Sequence, residues 1–586
     1  MSSRLRAAAA ALLFCSASLP ATAQIESGGL GDISPWTASF LERGEDGLGR
    51  DLWSNSDPEY LIALFEHIDV SRLSPAETSL LSLALRSPAQ APEGDLANML
   101  QAERIRLLLA LGERRAAASL ASQTGDEIEG INPDVILSDN RLARGEVDVV
   151  CAQANVTGDG RFWSELRALC TLKNGEEASA ELAIEIAGQQ EGAEPWFTEA
   201  AVSVLADLDP EDRPAARYGS GLEMAMSEMA GLEPDGESLS SARPDLALLI
   251  AEDEGRPLAL RLAAAGIAAE AGLISGEQHR ALYEALIEEE DFEPETPVEA
   301  AFVLLAREPE PEPEPVSEVA AGPAGPVDLR AMTDDWSEPV EPEDLEETEG
   351  ASEEEEGPSL IAQQALAVED ALARSASDAV SFSVTARLFE EALDTLPAGE
   401  DTADSAIVFA AAALANGDLE RTMTWLDAIP EDAEDATHFE AALLEGYALM
   451  FGDRREASDL EPLVSRLLET GYEENQRQAA LQLFSVWSGF DVPMPVMARS
   501  ALTQSQIEAP PVEPGILLAI SSAERAGASG EALLTILTQT DGQIESLSGP
   551  SLAVLLDTLK QMGAGEAALA LALDTGELWT LAAERN

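Results

Sequence analysis

Between Glu308 and Pro358 the chain reads EPEPEPEPVSEVAAGPAGPVDLRAMTDDWSEPVEPEDLEETEGASEEEEGP, and no other stretch limits the fold so strongly. It holds nineteen acidic residues, nine prolines and a single basic residue, Arg330. Such a composition offers too little apolar surface to offset the entropy of ordering, so the sequence predicts disorder here. The Glu-Pro run at 308–315 favours an extended polyproline helix of about 25 Å, at about 3.1 Å per residue. A chain of 586 residues is too long for one ordinary core, which stops growing near about 250–300 residues. The expectation is two helical units, 24–306 and 359–586, joined by a disordered acidic linker at 307–358. PVEAAFVLLAR ends a helix before it, and SLIAQQALAVEDALARSA begins one after it.

Ala and Leu dominate both flanks, aromatic residues make up 5 % of the chain, and alternating β-branched runs are scarce. The predicted class is therefore all-α. Five segments share one pattern, an apolar helix end, a turn at Gly and a new helix, centred on Gly112, Gly175, Gly417, Gly452 and Gly563. Four carry Ala five residues later (Ala117, Ala180, Ala457, Ala568), and the other carries Thr422. Gly accepts the left-handed conformation that ends a helix, and a small residue lets the next helix pack closely. Antiparallel helical hairpins follow, stacked as an alpha-solenoid.

That spacing resembles the turn between the two helices of a tetratricopeptide-type repeat. The family's fixed period and its regular aromatic positions are missing, so the resemblance implies degenerate repeats or another alpha-solenoid. The segment from Val149 to Leu182, with Cys151, Trp163, Cys170 and Gly175, also resembles exported Ala-rich helical proteins of Gram-negative bacteria. It implies no function.

The first residues, MSSRLRAAAAALLFCSASLPATAQ, place Arg4 and Arg6 before an apolar stretch and end it with a small-residue ATA at Ala23. This pattern predicts a secretory signal peptide over 1–23, cleaved before Gln24, and hence a periplasmic protein. Cys15 follows the bulky Phe14, which disfavours lipid attachment. No other run approaches the roughly 18–20 apolar residues of a membrane helix. Taking the two positive charges of Arg4 and Arg6 from the formal charge of −76 leaves −78. Such a field repels phosphates and anionic lipid, so nucleic acid and direct membrane binding are excluded as expected partners. Cys151 and Cys170 remain, an even pair in an oxidising compartment, and a disulfide is expected. With no His nearby they do not form a zinc site.

Within the acidic segment, Leu329, Met332 and Trp336 recur at i, i+3 and i+7, one face of a short helix, and form a candidate partner-binding motif. Catalytic chemistry finds no foothold. Glu26-Ser27 matches the opening of the lytic transglycosylase motif, but it sits beside the cleavage site, and no GLMQ follows. Phosphate-loop, HExxH and GxSxG patterns are lacking, and the three histidines, His67, His279 and His438, are scattered. Acidic clusters such as EEED at 288–291 lack calcium-loop spacing and are expected to be solvated surface. Trp53, Trp163, Trp425 and Trp487 lie in apolar helix patterns and are expected in cores.

The functional expectation is a non-catalytic scaffold that binds a protein partner in the bacterial cell envelope, with no cofactor and no metal. Two alternatives remain: an enzyme or enzyme subunit acting on peptidoglycan, and an ion-adapted envelope-stabilising protein.

Overall fold

A computed structural model describes residues 34–583, apart from 42, 124–130, 154–157, 235–237, 240–241, 291, 308–357, 453–455, 470–473 and 505–510. The expected signal peptide, Glu26 and the motif residues Leu329, Met332 and Trp336 lie outside the described residues. Among those described, every regular element is a helix, from Pro58–His67 near the start to Leu578–Ala583 at the end. None is long and apolar enough to cross a membrane.

Four of the five Gly turns are helix terminators of one type. Gly112, Gly175, Gly417 and Gly563 have φ of 78°, 69°, 77° and 84°. At Gly112 the amide donates to the Leu109 carbonyl at 3.2 Å, and the next amide, Glu113, reaches back to Leu108 at 2.8 Å. The other three repeat this pairing, the Schellman closure that satisfies the last carbonyls of a helix. The residue five positions on is buried each time, at Ala117, Ala180, Thr422 and Ala568, so the second helix lies tight against the first. Gly452 departs from the set. It follows a 3-10 turn at Leu449–Phe451 with φ −95° and ψ −179°, an extended exit that needs no glycine. Gly145, Gly272 and Gly527 make the same left-handed closure, with Leu142, Ala269 and Glu524 as acceptors, and belong with the four.

The cores do not follow chain order. One cluster combines residues 36–121 with residues 486–572. A second adds Ala301 and Phe302 to residues 365–498 and 578–582, and a third is drawn from residues 142–282. The helical stretches expected as two units on either side of 307–358 thus share two of three cores. Residues 52–74 and 527–574 are also stitched by polar contacts. Gly530 N–H donates to Leu52 O at 2.7 Å, Ser74 Oγ to Asp574 Oδ2 at 2.8 Å, and Asn55 Nδ2 to Gly527 O at 3.1 Å. Arg72 pairs with Asp541 at 2.6 Å.

Helix Pro297–Leu305 and helix Leu360–Ser375, which flank the acidic segment, pack on each other. Gln364 Nε2 donates to Leu304 O at 2.9 Å and to Arg307 O at 3.4 Å. Residues 308–357 therefore leave and re-enter the fold at neighbouring points. Trp53, Trp425 and Trp487 are fully buried and Trp163 nearly so, as their sequence context predicts. Cys151 and Cys170 are bonded, with Cα atoms 5.4 Å apart, and join helix Val147–Gln153 to helix Arg161–Lys173.

Candidate functional site

Two of the concavities among the described residues bring titratable groups beside apolar side chains. The first is a groove of about 710 Å³ between helices Leu258–Glu270, Gly276–Ile287, Pro297–Leu305 and Ala379–Leu388. Amphipathic spacing sends Leu262, Tyr283, Leu286, Val298, Val384 and Leu388 to its floor. From this lining a row of rings runs into the core: His279 to Tyr283 at 5.4 Å, Tyr283 stacked on Phe302 at 5.0 Å, and Phe302 on Phe389 at 5.3 Å. Gly266, inside a helix where glycine costs about 1 kcal/mol relative to Ala, faces open space: a Cβ there would meet nothing within 4 Å.

The rim is acidic. Glu270, Glu289, Glu290, Glu293 and Glu295 are exposed around the opening, and no described lining residue is Lys or Arg. Glu299 is held inward, its Oε2 accepting from the amides of Glu295 at 2.6 Å and Thr296 at 3.1 Å as a helix cap. Burial lowers His279 to about 4, with Arg387 adding to the effect, so the imidazole is neutral at ordinary pH. Burial lifts the Tyr283 phenol to about 12 and also raises Glu270, whose charged form Asp378 further disfavours. Glu289 and Glu290 belong to the run expected to be plain solvated surface, and their place beside an apolar floor had no signal in the sequence.

The second concavity, about 790 Å³, lies at the seam between the N-terminal and C-terminal stretches and is walled by helix Pro75–Arg86 and helix Gly565–Asp574. Arg86 crosses it, bridging Glu45 at 2.6 Å and Glu113 at 3.0 Å. Asp574 sits in its wall, and burial raises its carboxyl to about 7. The Ser74 hydrogen bond opposes that rise, while the charges of Glu77 and Glu545 reinforce it. Glu77 is itself fully buried and raised by burial, a rise that hydrogen bonds from Thr540 and from the amides of Ser74 and Gly542 oppose. Sequence reasoning missed Asp574 and Glu77 because they are 497 positions apart and meet only when the chain's ends dock.

Among the described residues no group of three or more His, Cys, Asp or Glu is arranged to hold a metal ion. No family model, no curated protein and no solved structure matches the chain.

Proposed function

We propose that this chain is an exported, non-catalytic scaffold of the bacterial cell envelope that binds a protein partner in the periplasm. In this reading, degenerate tetratricopeptide-like hairpins stack as an alpha-solenoid on either side of residues 307–358. The shared cores favour the two stretches working as one body. The observation that carries the proposal is the groove, whose apolar floor lies open to solvent between four helices, as in helix-in-groove recognition. Neither nucleic acid nor lipid belongs among its partners, because the formal charge of −76 opposes both. Leu329, Met332 and Trp336 supply a second contact with a separate partner.

Cross-linking in the native cell, followed by purification of the full chain, tests the reading. Recovery of a specific envelope protein is expected, and recovery of none at any salt concentration overturns it. Replacing Leu329, Met332 and Trp336 together by Ala is expected to remove part of the cross-linked set.

A second reading, an enzyme or enzyme subunit acting on envelope polymer, draws support from Asp574. A carboxyl held near 7 in the wall of a cavity is placed as a general acid would be. Digestion of purified peptidoglycan that disappears in Asp574→Asn would establish it.

A further inference from the structure

We infer that the groove beside Gly266 receives a cationic amphipathic helix, its apolar side chains seated on the floor and its Lys or Arg residues meeting the glutamate rim. The inference rests on the scaffold reading and names the chemistry of its partner.

Three observations converge on it. Leu262, Tyr283, Leu286, Val298, Val384 and Leu388 from four helices line the groove, and its volume of about 710 Å³ accepts a few large side chains, the face of a helix rather than a whole one. The rim carries exposed Glu270, Glu289, Glu290, Glu293 and Glu295 with no described cation among them. Opposite charge around an apolar centre both steers encounter and excludes acidic competitors. Lastly, Gly266 leaves space that the helix it belongs to has no need of, since Ala there would favour the helix. A side chain at that position would stand in the groove.

The chain's own motif is a poor occupant on charge. Asp328, Asp334 and Asp335 accompany Leu329, Met332 and Trp336, and like charges would face each other across the rim.

The probe is a fluorescein-labelled helical peptide of Leu, Ala and Lys with Leu at i, i+3, i+4 and i+7, titrated with the full mature chain and followed by anisotropy. Two controls share its length, one with Glu for every Lys and one with Ser for every Leu. Saturable binding of the first peptide alone is expected, weakening about tenfold or more between 0.05 and 0.3 M salt. Gly266→Trp, which fills the groove, is expected to abolish binding. Glu289→Gln with Glu290→Gln and Glu293→Gln is expected to weaken it about tenfold, as the rim loses the charge that attracts the peptide.

Melting curves of each variant establish that the fold persists, and Gly565→Ala, outside the groove and with nothing within 4 Å of the added methyl, serves as the folded comparison that still binds. Equal binding of the Ser-containing peptide, or binding untouched by Gly266→Trp, would show general attraction to an acidic protein and overturn the inference. So would a gain of about tenfold or more on deleting residues 308–357, which would make that segment the resident of the groove. If no peptide binds while the native chain still cross-links to an envelope protein, the groove inference falls and the scaffold reading stands. If cross-linking also fails, both fall.

Discussion

Asp574 shows how far a single side chain can be moved by its surroundings. Its ordinary value of 3.8 is raised to about 7 on folding. Between those values the folded chain holds a proton that the unfolded chain has released, so stability falls as pH rises from about 4 to about 7 and then levels. The difference corresponds to roughly 4 kcal/mol at most. Asn copies the shape and neutrality of the protonated carboxyl. Asp574→Asn should therefore be more stable than the parent at pH 8, by about 2–4 kcal/mol, with a flatter profile between pH 5 and 8 in denaturant titrations. A variant as pH-dependent as the parent would place the titration elsewhere, at Glu77 or Glu545. The disulfide makes a second residue-scale prediction. Closing a loop of about 20 residues limits the unfolded chain, so replacing Cys151 and Cys170 together by Ser should cost about 2–4 kcal/mol. Urea curves of the parent with and without reductant should differ by the same amount, and those of the double variant should not.

The helix ends at four glycine turns were legible in the sequence, for a local reason. A helix has to satisfy its last carbonyls, and a left-handed Gly does this within six residues, so Gly112, Gly175, Gly417 and Gly563 announce their turns without reference to the rest of the chain. Gly452 carries the same neighbours yet exits extended, because a 3-10 turn has already ended the helix before it. Glycines that matter for packing between elements are less visible. A Cβ on Gly530 would stand 2.3 Å from the Trp53 ring and 2.8 Å from Leu52 O, and one on Gly565 would touch nothing. Gly530→Ala should thus destabilise by about 2 kcal/mol or more through overpacking at the seam. Gly565→Ala should be neutral or stabilising by up to about 1 kcal/mol. Thermal unfolding of the pair separates a conformational effect from a packing one.

At the scale of the whole molecule the ends of the chain are partners. Residues 36–121 and 486–572 build one core, with Trp53 and Phe65 in contact at 5.5 Å on one side and Leu533, Leu552 and Leu555 fully buried on the other. A fragment of residues 359–586 would lose the N-terminal half of that core. It should bind a hydrophobic dye and unfold without a sharp transition, whereas co-expressed 24–306 should restore cooperativity. A fragment that melts sharply alone would show that the two stretches are independent units. The acidic segment acquires a different setting from the one composition suggests. It joins two helices that already touch through Gln364, so deleting residues 308–357 with a short replacement should leave the melting temperature unchanged.

Helical class, the helix ends at Gly112, Gly175, Gly417 and Gly563 and the burial of the four tryptophans came from the sequence, because each depends on propensity, capping and amphipathic spacing within a few turns. The groove and the seam did not. Apolar burial is non-directional, and an Ala- and Leu-rich face carries no address for its partner, so only the assembled fold brings Asp574 to Glu77, or exposed glutamates to an apolar floor.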